Sequence, residues 1–255
     1  MAQLTATVRE RAQLGERDIA AMYALFVDYY GGTSADMFKA DLAGKTHAIV
    51  LRAEGKLCGF STLTLIEPVA GAPGPVARTI FSGDTIIHHD HWGEQSLALT
   101  FCHFAGQVKA QQPEVPLYWF LISKGYRTYR YLHLFSKQYW PSYREDAPPE
   151  FKRVLDTLAA KKFGGFYDAN SGVIRFPESR GHLRPDWAQV RDNLLDRPEV
   201  RFFLERNPRF AEGEELACIT LLDEPNLRSV ARRAFAEGLC EGTVDAAVDA
   251  AVNAA

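Results

Sequence analysis

Apolar positions along the chain follow two periods, one near 3.6 and one near 2. From Glu16 to Tyr30 the residues Ile19, Met22, Tyr23, Leu25, Phe26 and Tyr29 form one helical stripe, closed by Gly31-Gly32. A short extended segment, Thr5 to Gln13, precedes it, and a second helix is expected from Ser34, as N-cap, to Ala43. His47 to Arg52 and Leu57 to Ile66 read as two strands joined by Ala53-Glu54-Gly55-Lys56, where the glycine can take the positive φ of a tight hairpin. Pro68 to Pro75 is a loop, and Arg78 to Ile87 is a strand rich in β-branched residues with polar residues at alternate positions. Leu97, Phe101, Phe104, Ala105 and Val108 then recur at helical spacing between about Glu94 and Gln111. Val115 to Ser123 is continuously apolar, as a strand covered on both faces in a parallel pairing would be. An aromatic-dense helix from Tyr126 to Tyr139 halts near Pro141.

Beyond Pro141 the pattern loosens. Pro148-Pro149 opens a helix with Phe151, Val154, Leu155 and Leu158 in register, stopped by Gly164-Gly165. A hairpin is expected over Phe166 to Phe176 around Asn170-Ser171-Gly172, mostly helix over Pro185 to Pro208, a strand over Glu215 to Leu222 and a helix over Asn226 to Glu237. Gly242 to Ala255 is small and acidic, the composition of a fraying tail. The division is a core of residues 1–141, a part of 142–241 that completes the sheet and the acceptor side, and a flexible tail of 242–255. Trp187, Phe202, Phe203 and Phe210 give the second part more aromatic surface than a solvated appendage needs.

At 255 residues with 47% hydrophobic and 24% charged, the chain fits one large domain, or a core with an extension. A net charge of -3 removes any global basic field, so nucleic acid is not the default partner. The N-terminus lacks the apolar core of a signal peptide, and no apolar run approaches the roughly 20 residues of a membrane span, which predicts a soluble, cytoplasmic protein with no membrane partner. Cys58, Cys102, Cys218 and Cys240 are far apart and read as reduced core residues.

The densest chemistry lies where the strand ending at Ile87 turns through His88-His89-Asp90-His91-Trp92-Gly93 into the helix that follows. A helix start leaves backbone N–H groups free for an anion or a polarised carbonyl. Asp84 is an acid inside an otherwise apolar strand, where burial raises its pKa. His88 and His89 point to opposite faces if the strand extends that far, which leaves at most one toward a substrate. The cluster His88 to His91 also has the residue types of a metal site, although adjacent ligands on a strand diverge, and no metal is expected. In the helix from Tyr126, one face carries Tyr126, Tyr129, Arg130 and His133 and another Arg127, Tyr131 and Leu134, with Lys124, Arg127 and Arg130 as a small basic patch.

The order of elements from Thr5 to Pro141 resembles that of the GNAT (N-acetyltransferase-like) acyltransferase superfamily. Its donor-binding pattern, V-x-P-x-Y-R-G-x-G-x-G, is matched here by Ile87 at the apolar strand end and by Gly93; His89, His91, Trp92, Gln95 and Leu97 stand at its other fixed positions. The hairpin Leu57-Cys58-Gly59-Phe60-Ser61 resembles the family's second and third strands. The resemblance implies an α/β fold with a mixed central sheet flanked by helices, here with a helical C-terminal extension. It also implies transfer of an acyl group from a thioester, acyl-CoA or a carrier protein's phosphopantetheine, to an amine. Ile87, His88, Trp92, Gly93, Glu94, Gln95 and Ser96 would then seat the donor, and Lys124, Arg127 and Arg130 would meet its phosphates. Asp84 would be the base, with His89 as a further candidate, and Tyr129 or Tyr126, with Tyr131 behind them, the acid for the leaving thiolate. Gln95 and Leu97 in place of glycine are expected to crowd a pyrophosphate, which favours a modified CoA seat, an acyl carrier protein or an aminoacyl-tRNA as donor. Two other readings stand beside this one, an inactive GNAT-like module that binds a ligand or partner, and a metal enzyme using His88 to His91.

Overall fold

The computed structural model describes residues 4–68 and 77–253, with side chains described as far as residue 242. All but Pro68 of the expected 68–75 loop lies outside these residues. The chain runs β1 (Leu4–Glu10), α1 (Glu16–Tyr29), β2 (Tyr30–Gly31), α2 (Ala35–Ala43), β3 (His47–Ala53), β4 (Lys56–Ile66), β5 (Arg78–Ile87), α3 (Ser96–Gln111), β6 (Leu117–Ser123) and α4 (Tyr126–Phe135). It continues with α5 (Pro149–Phe163), β7 (Tyr167–Asp168), β8 (Val173–Ile174), β9 (His182–Leu183), α6 (Pro185–Ala188), α7 (Asp192–Leu195), α8 (Pro198–Arg206), β10 (Glu215–Leu221) and α9 (Ser229–Asn253). Among the described residues no helix is long and apolar enough to cross a membrane.

The local chemistry that predicts these elements is visible in them. Ser34 Oγ accepts from the Met37 N–H at 3.2 Å and caps α2. The β3–β4 hairpin turns through Glu54 and Gly55 at φ 49° and 80°, so both central residues are left-handed. α4 ends four residues before the expected Tyr139, because Trp140 exchanges both backbone hydrogen bonds with Ile219 of β10 and Lys137 N–H donates to the Asn226 carbonyl. The helix expected to stop at Glu237 continues to Asn253.

Eight strands form one mixed sheet in the order β1-β3-β4-β5-β6-β10-β8-β7, and β5–β6 is its single parallel pairing among the described residues. On one face α3, α4, α8 and α9 pack over Ile49, Leu51, Leu63, Ile80 and Ile87. On the other, α1 and α2 cover Val50, Phe60 and Ile86, while α5 covers Phe81, Phe120 and Ile219. α3 and α9 cross with backbones almost touching. A Cβ on Gly106 would overlap the Phe235 carbonyl oxygen, and one on Gly238 the His103 carbonyl oxygen. Cys58, Cys102 and Cys218 are buried as expected, whereas Cys240, on the outer side of α9, is exposed.

A small second sheet, β2 with β9, is too short to leave a pattern in the sequence. Tyr30 pairs with Leu183 and Gly31 with His182. Arg184 N–H donates to the Tyr29 carbonyl at 2.9 Å, and Trp187 Nε1 to the Asp28 carbonyl at 3.0 Å. The clasp draws the C-terminal part onto the end of α1.

Candidate active site

Two irregularities of β5 build the site. The first is a bulge: Ser61 faces Thr85 and Leu63 faces Ser82, so Gly83 and Asp84 together oppose Thr62. A bulge shifts the alternation of a strand by one and re-aims the side chains beyond it. Phe81 and Ile86 therefore face α5 and α1, while Ile80 and Ile87 face α3. Gly83 is needed there, because a Cβ would come within 2.8 Å of Thr62 Oγ1 and 3.0 Å of Lys45 Nζ. The second irregularity is that pairing with β6 ends at Ser82 and Leu121, beyond which the two parallel strands part.

Two cavities open at this parting. The first, about 840 Å³, lies on the α3–α4 side, and the second, about 710 Å³, on the α1–α2–α5 side. Tyr30, Thr85 and Thr128 line both. Each cavity has the size of a small-molecule or cofactor site.

In the first cavity Gly93, at φ 101°, leads into the start of α3, whose N-cap Gln95 makes no side-chain capping bond. Of the residues expected to seat a donor, Ile87, Trp92, Gly93, Glu94 and Gln95 line it. Ser96 and His88 do not; Ser96 opens α3 behind Gln95, and the His88 Nδ1 accepts from Asp90 N–H at 3.4 Å. Leu97 turns into the core, so the expected crowding by its side chain does not arise, and Gln95 alone projects where the glycine pattern has none. Arg127, Arg130, Lys137, Arg191 and Arg228 line the cavity against one acid, Glu94. Arg127 is held between the rings of Trp92 and Tyr126, 4.6 and 4.7 Å away, and donates to the Trp187 carbonyl at 2.8 Å, whereas Arg130 pairs with Glu199 at 3.2 Å.

The tyrosines of α4 separate. Tyr126 is buried in the cavity wall with a hydroxyl that finds no partner among the described residues. Tyr131 also lines the cavity, stacked on Phe135. Tyr129, expected as an acid, instead packs against Tyr139 and Phe203 and donates to the Pro141 carbonyl at 2.8 Å. It shares a helix face with Tyr126, but Tyr139, Phe203 and Pro141 close over it, and burial raises its pKa further. Tyr129→Phe should therefore leave kcat unchanged while costing about 1–2 kcal/mol of stability through the lost bond to Pro141, read by urea denaturation.

His89, also expected in catalysis, lines neither cavity. Its N–H donates to Tyr29 Oη at 2.7 Å and its Nδ1 lies 3.1 Å from the same hydroxyl, so it braces the wall from behind. The strand ends at Ile87, and the rings of His88 and His89 stack at 4.2 Å rather than facing opposite ways. Ligand atoms of His88, His89 and Asp90 thus lie within 4.8 Å of one another, without His91.

Asp84 sits in the wall of the second cavity, as does Lys124, which was expected beside the donor. Lys124 pairs with Glu215 at 3.3 Å, on the opposite side of the sheet from the first cavity. Burial, and then Asp41, push the Asp84 carboxyl up to about 6 against the pull of Lys124 and Lys45. Burial, followed by the charges of Asp84 and Glu215, raises the Tyr30 hydroxyl. Of the aromatics expected at the acceptor side, Trp187 lines the first cavity, and Phe202, Phe203 and Phe210 pack against the core. The second cavity is walled instead by Phe38, Phe81, Phe163, Phe166 and Phe176.

No protein family and no curated protein matches the sequence. Among solved structures the chain is similar to an Enterococcus faecalis protein described as a probable N-acyltransferase, at 15% identity over 54% of this chain and 33% of that one, with a TM-score of 0.39. It thus spans about a third of that protein's length. An acyl-CoA N-acyltransferase from Pseudomonas aeruginosa (16% identity, 48% of this chain and 80% of that one, TM-score 0.36) and Arabidopsis thaliana NAA60 bound to a bisubstrate analogue (11%, 53% and 86%, TM-score 0.38) are similar at the same level. The sheet itself runs antiparallel through β1-β3-β4-β5, steps in parallel to β6 and parts beyond Ser82. The chain is an α/β protein with a mixed sheet flanked by helices, the fold class expected from the order of its elements.

Proposed function

We propose that the protein transfers an acyl group from a thioester to an amine, the thioester reaching the strand gap through the first cavity and the amine through the second. The observation that carries this reading is the pair of cavities meeting at Tyr30, Thr85 and Thr128, with Asp84 on one side and the unpartnered Tyr126 hydroxyl on the other. Five cations against one acid in the first cavity suit a donor with phosphates on a pantetheine arm, as in acyl-CoA or a loaded carrier protein.

In the reaction the Asp84 carboxylate takes a proton from the acceptor ammonium, and the freed nitrogen attacks the thioester carbonyl. The tetrahedral intermediate collapses with cleavage of the C–S bond, and the departing thiolate takes the Tyr126 proton. A base titrating near 6 is matched to this work at neutral pH, because it is ionised yet still basic enough to accept the proton. Residues on opposite sides of one gap allow direct attack with both substrates bound.

Thermal shift with a series of acyl-CoAs and with an acylated carrier protein, followed by an amine acylation assay, tests the reading. Stabilisation by either donor together with turnover supports it and says which carries the acyl group; stabilisation by neither defeats it. Tyr126→Phe should lower kcat on the order of 10²-fold. The same variant should unfold no more easily than the parent, since it removes a buried hydroxyl that has no partner, and a paired measurement of rate and melting temperature checks both signs.

A further inference from the structure

The mouth of the first cavity differs in chemistry from its interior. Five large apolar side chains are exposed among the described residues, and two of them line this cavity: Leu134 near the end of α4, 50% exposed, and Val230 in the first turn of α9, 52% exposed. A third, Leu195, follows the lining residue Leu194 along α7. Lys137, Arg191 and Arg228 line the same cavity, and none of them has an ion pair among the described residues. Lys137 Nζ donates to the Pro225 carbonyl at 2.5 Å and Arg228 Nε to the Ser136 carbonyl at 3.1 Å, which fixes both cations without neutralising them. In a chain of net charge -3, unpaired cations set among exposed apolar groups are a local exception.

Along α4 the cavity runs from the buried Tyr126 to the exposed Leu134, about 12 Å of helix. Ala98, Tyr131, Phe135 and Leu183 give the stretch between an apolar lining, suited to an uncharged arm. At the start of α3 the side chain of Gln95 projects into the cavity, over N–H groups that would otherwise be open to a pyrophosphate. CoA carries a pyrophosphate and must find room there, whereas the arm of a carrier protein carries a single phosphate. Exposed apolar groups rimmed by charge mark a protein-binding surface. A nucleic acid would use the cations and leave Leu134, Val230 and Leu195 bare.

We propose that the mouth of the first cavity docks a small acidic carrier protein. Its carboxylates meet Lys137, Arg191 and Arg228, its apolar side chains meet Leu134 and Val230, and its phosphopantetheine arm enters the cavity toward Tyr126. The inference names the donor of the acyl-transfer reading and rests on that reading for the thioester, but docking is measured without turnover.

The test is calorimetric titration of the full chain with four probes: an acyl carrier protein of the bacterial fatty-acid type loaded with an octanoyl arm, the same carrier without its arm, octanoyl-CoA and octanoyl-pantetheine. Arm and surface engage together, so the loaded carrier should bind roughly 10-fold or more tightly than either small thioester. Its affinity should fall as salt is raised. Leu134→Asp combined with Val230→Asp should remove the carrier's advantage and leave octanoyl-pantetheine unchanged. Both positions are exposed, and a melting curve verifies that the variant is folded. Octanoyl-CoA that binds as tightly as the loaded carrier, an advantage that survives the double substitution, or a tRNA that binds as tightly as the carrier overturns the inference. Octanoyl-pantetheine binding with no gain from the carrier counts against this inference alone. Equal binding of the carrier with and without its arm, with neither small thioester bound, counts against the acyl-transfer reading alone, and silence from all four probes defeats both.

Discussion

Asp84→Asn is expected to lower turnover by on the order of 10²–10⁴-fold, the range for loss of a general base, while thermal stabilisation by the thioester stays intact. In the parent, log kcat/KM should rise with unit slope as pH increases toward about 6 and level off above it, because only the carboxylate accepts the proton. A variant that keeps its rate would remove Asp84 from the mechanism.

The same substitution carries a second sign. Folding raises the Asp84 pKa from 3.8 to about 6, so the folded state holds this proton more tightly than the unfolded chain does. Below pH 4 both states are protonated and there is no penalty; between about 4 and 6 stability falls as pH rises, and above 6 the loss is complete. At 1.36 kcal/mol per unit the penalty is roughly 2–3 kcal/mol. Asp84→Asn should therefore melt higher than the parent at pH 8 and equally at pH 4. Loss of activity with gain of stability is the mark of a residue kept for chemistry.

Gly238→Ala is expected to cost about 3 kcal/mol, at the upper end of overpacking penalties. The neighbour it meets is the His103 carbonyl of α3, a backbone atom that cannot swing aside as a side chain could. Relief requires moving one whole helix, and α3 is tied at its start to the Trp92-Gly93-Glu94-Gln95 loop that lines the first cavity. A melting temperature lower by roughly 6–12 °C should follow for a chain of this size. An unshifted melt would show that the crossing is looser than described.

Most elements of the sheet and its main helices can be read from periodicity, because each carries its own pattern and stop. The hairpin at Glu54-Gly55, the Ser34 cap and the buried parallel strand at Leu117–Ser123 are of this kind. Asp84 also stands out locally, as an acid in an apolar strand. The rest depends on contacts between distant residues. That Tyr126 faces a cavity and Tyr129 the core is decided by Tyr139, Pro141 and Phe203, and nothing within α4 distinguishes the two tyrosines. Lys124 belongs to the second cavity because Glu215 of β10 draws it there. The bulge left one trace, Gly83 in the middle of a β-branched run, which is the sort of position where a strand breaks its alternation.

The clasp between β2 and β9 joins residues about 150 positions apart, at the point where Tyr30 forms part of both cavity walls. Closing so long a loop gives up chain entropy before its few hydrogen bonds return anything. The wall shared by the cavities is therefore made by tertiary closure, and neither half of the chain holds it alone. Any molecule that binds against Tyr30 adds its binding free energy to that closure.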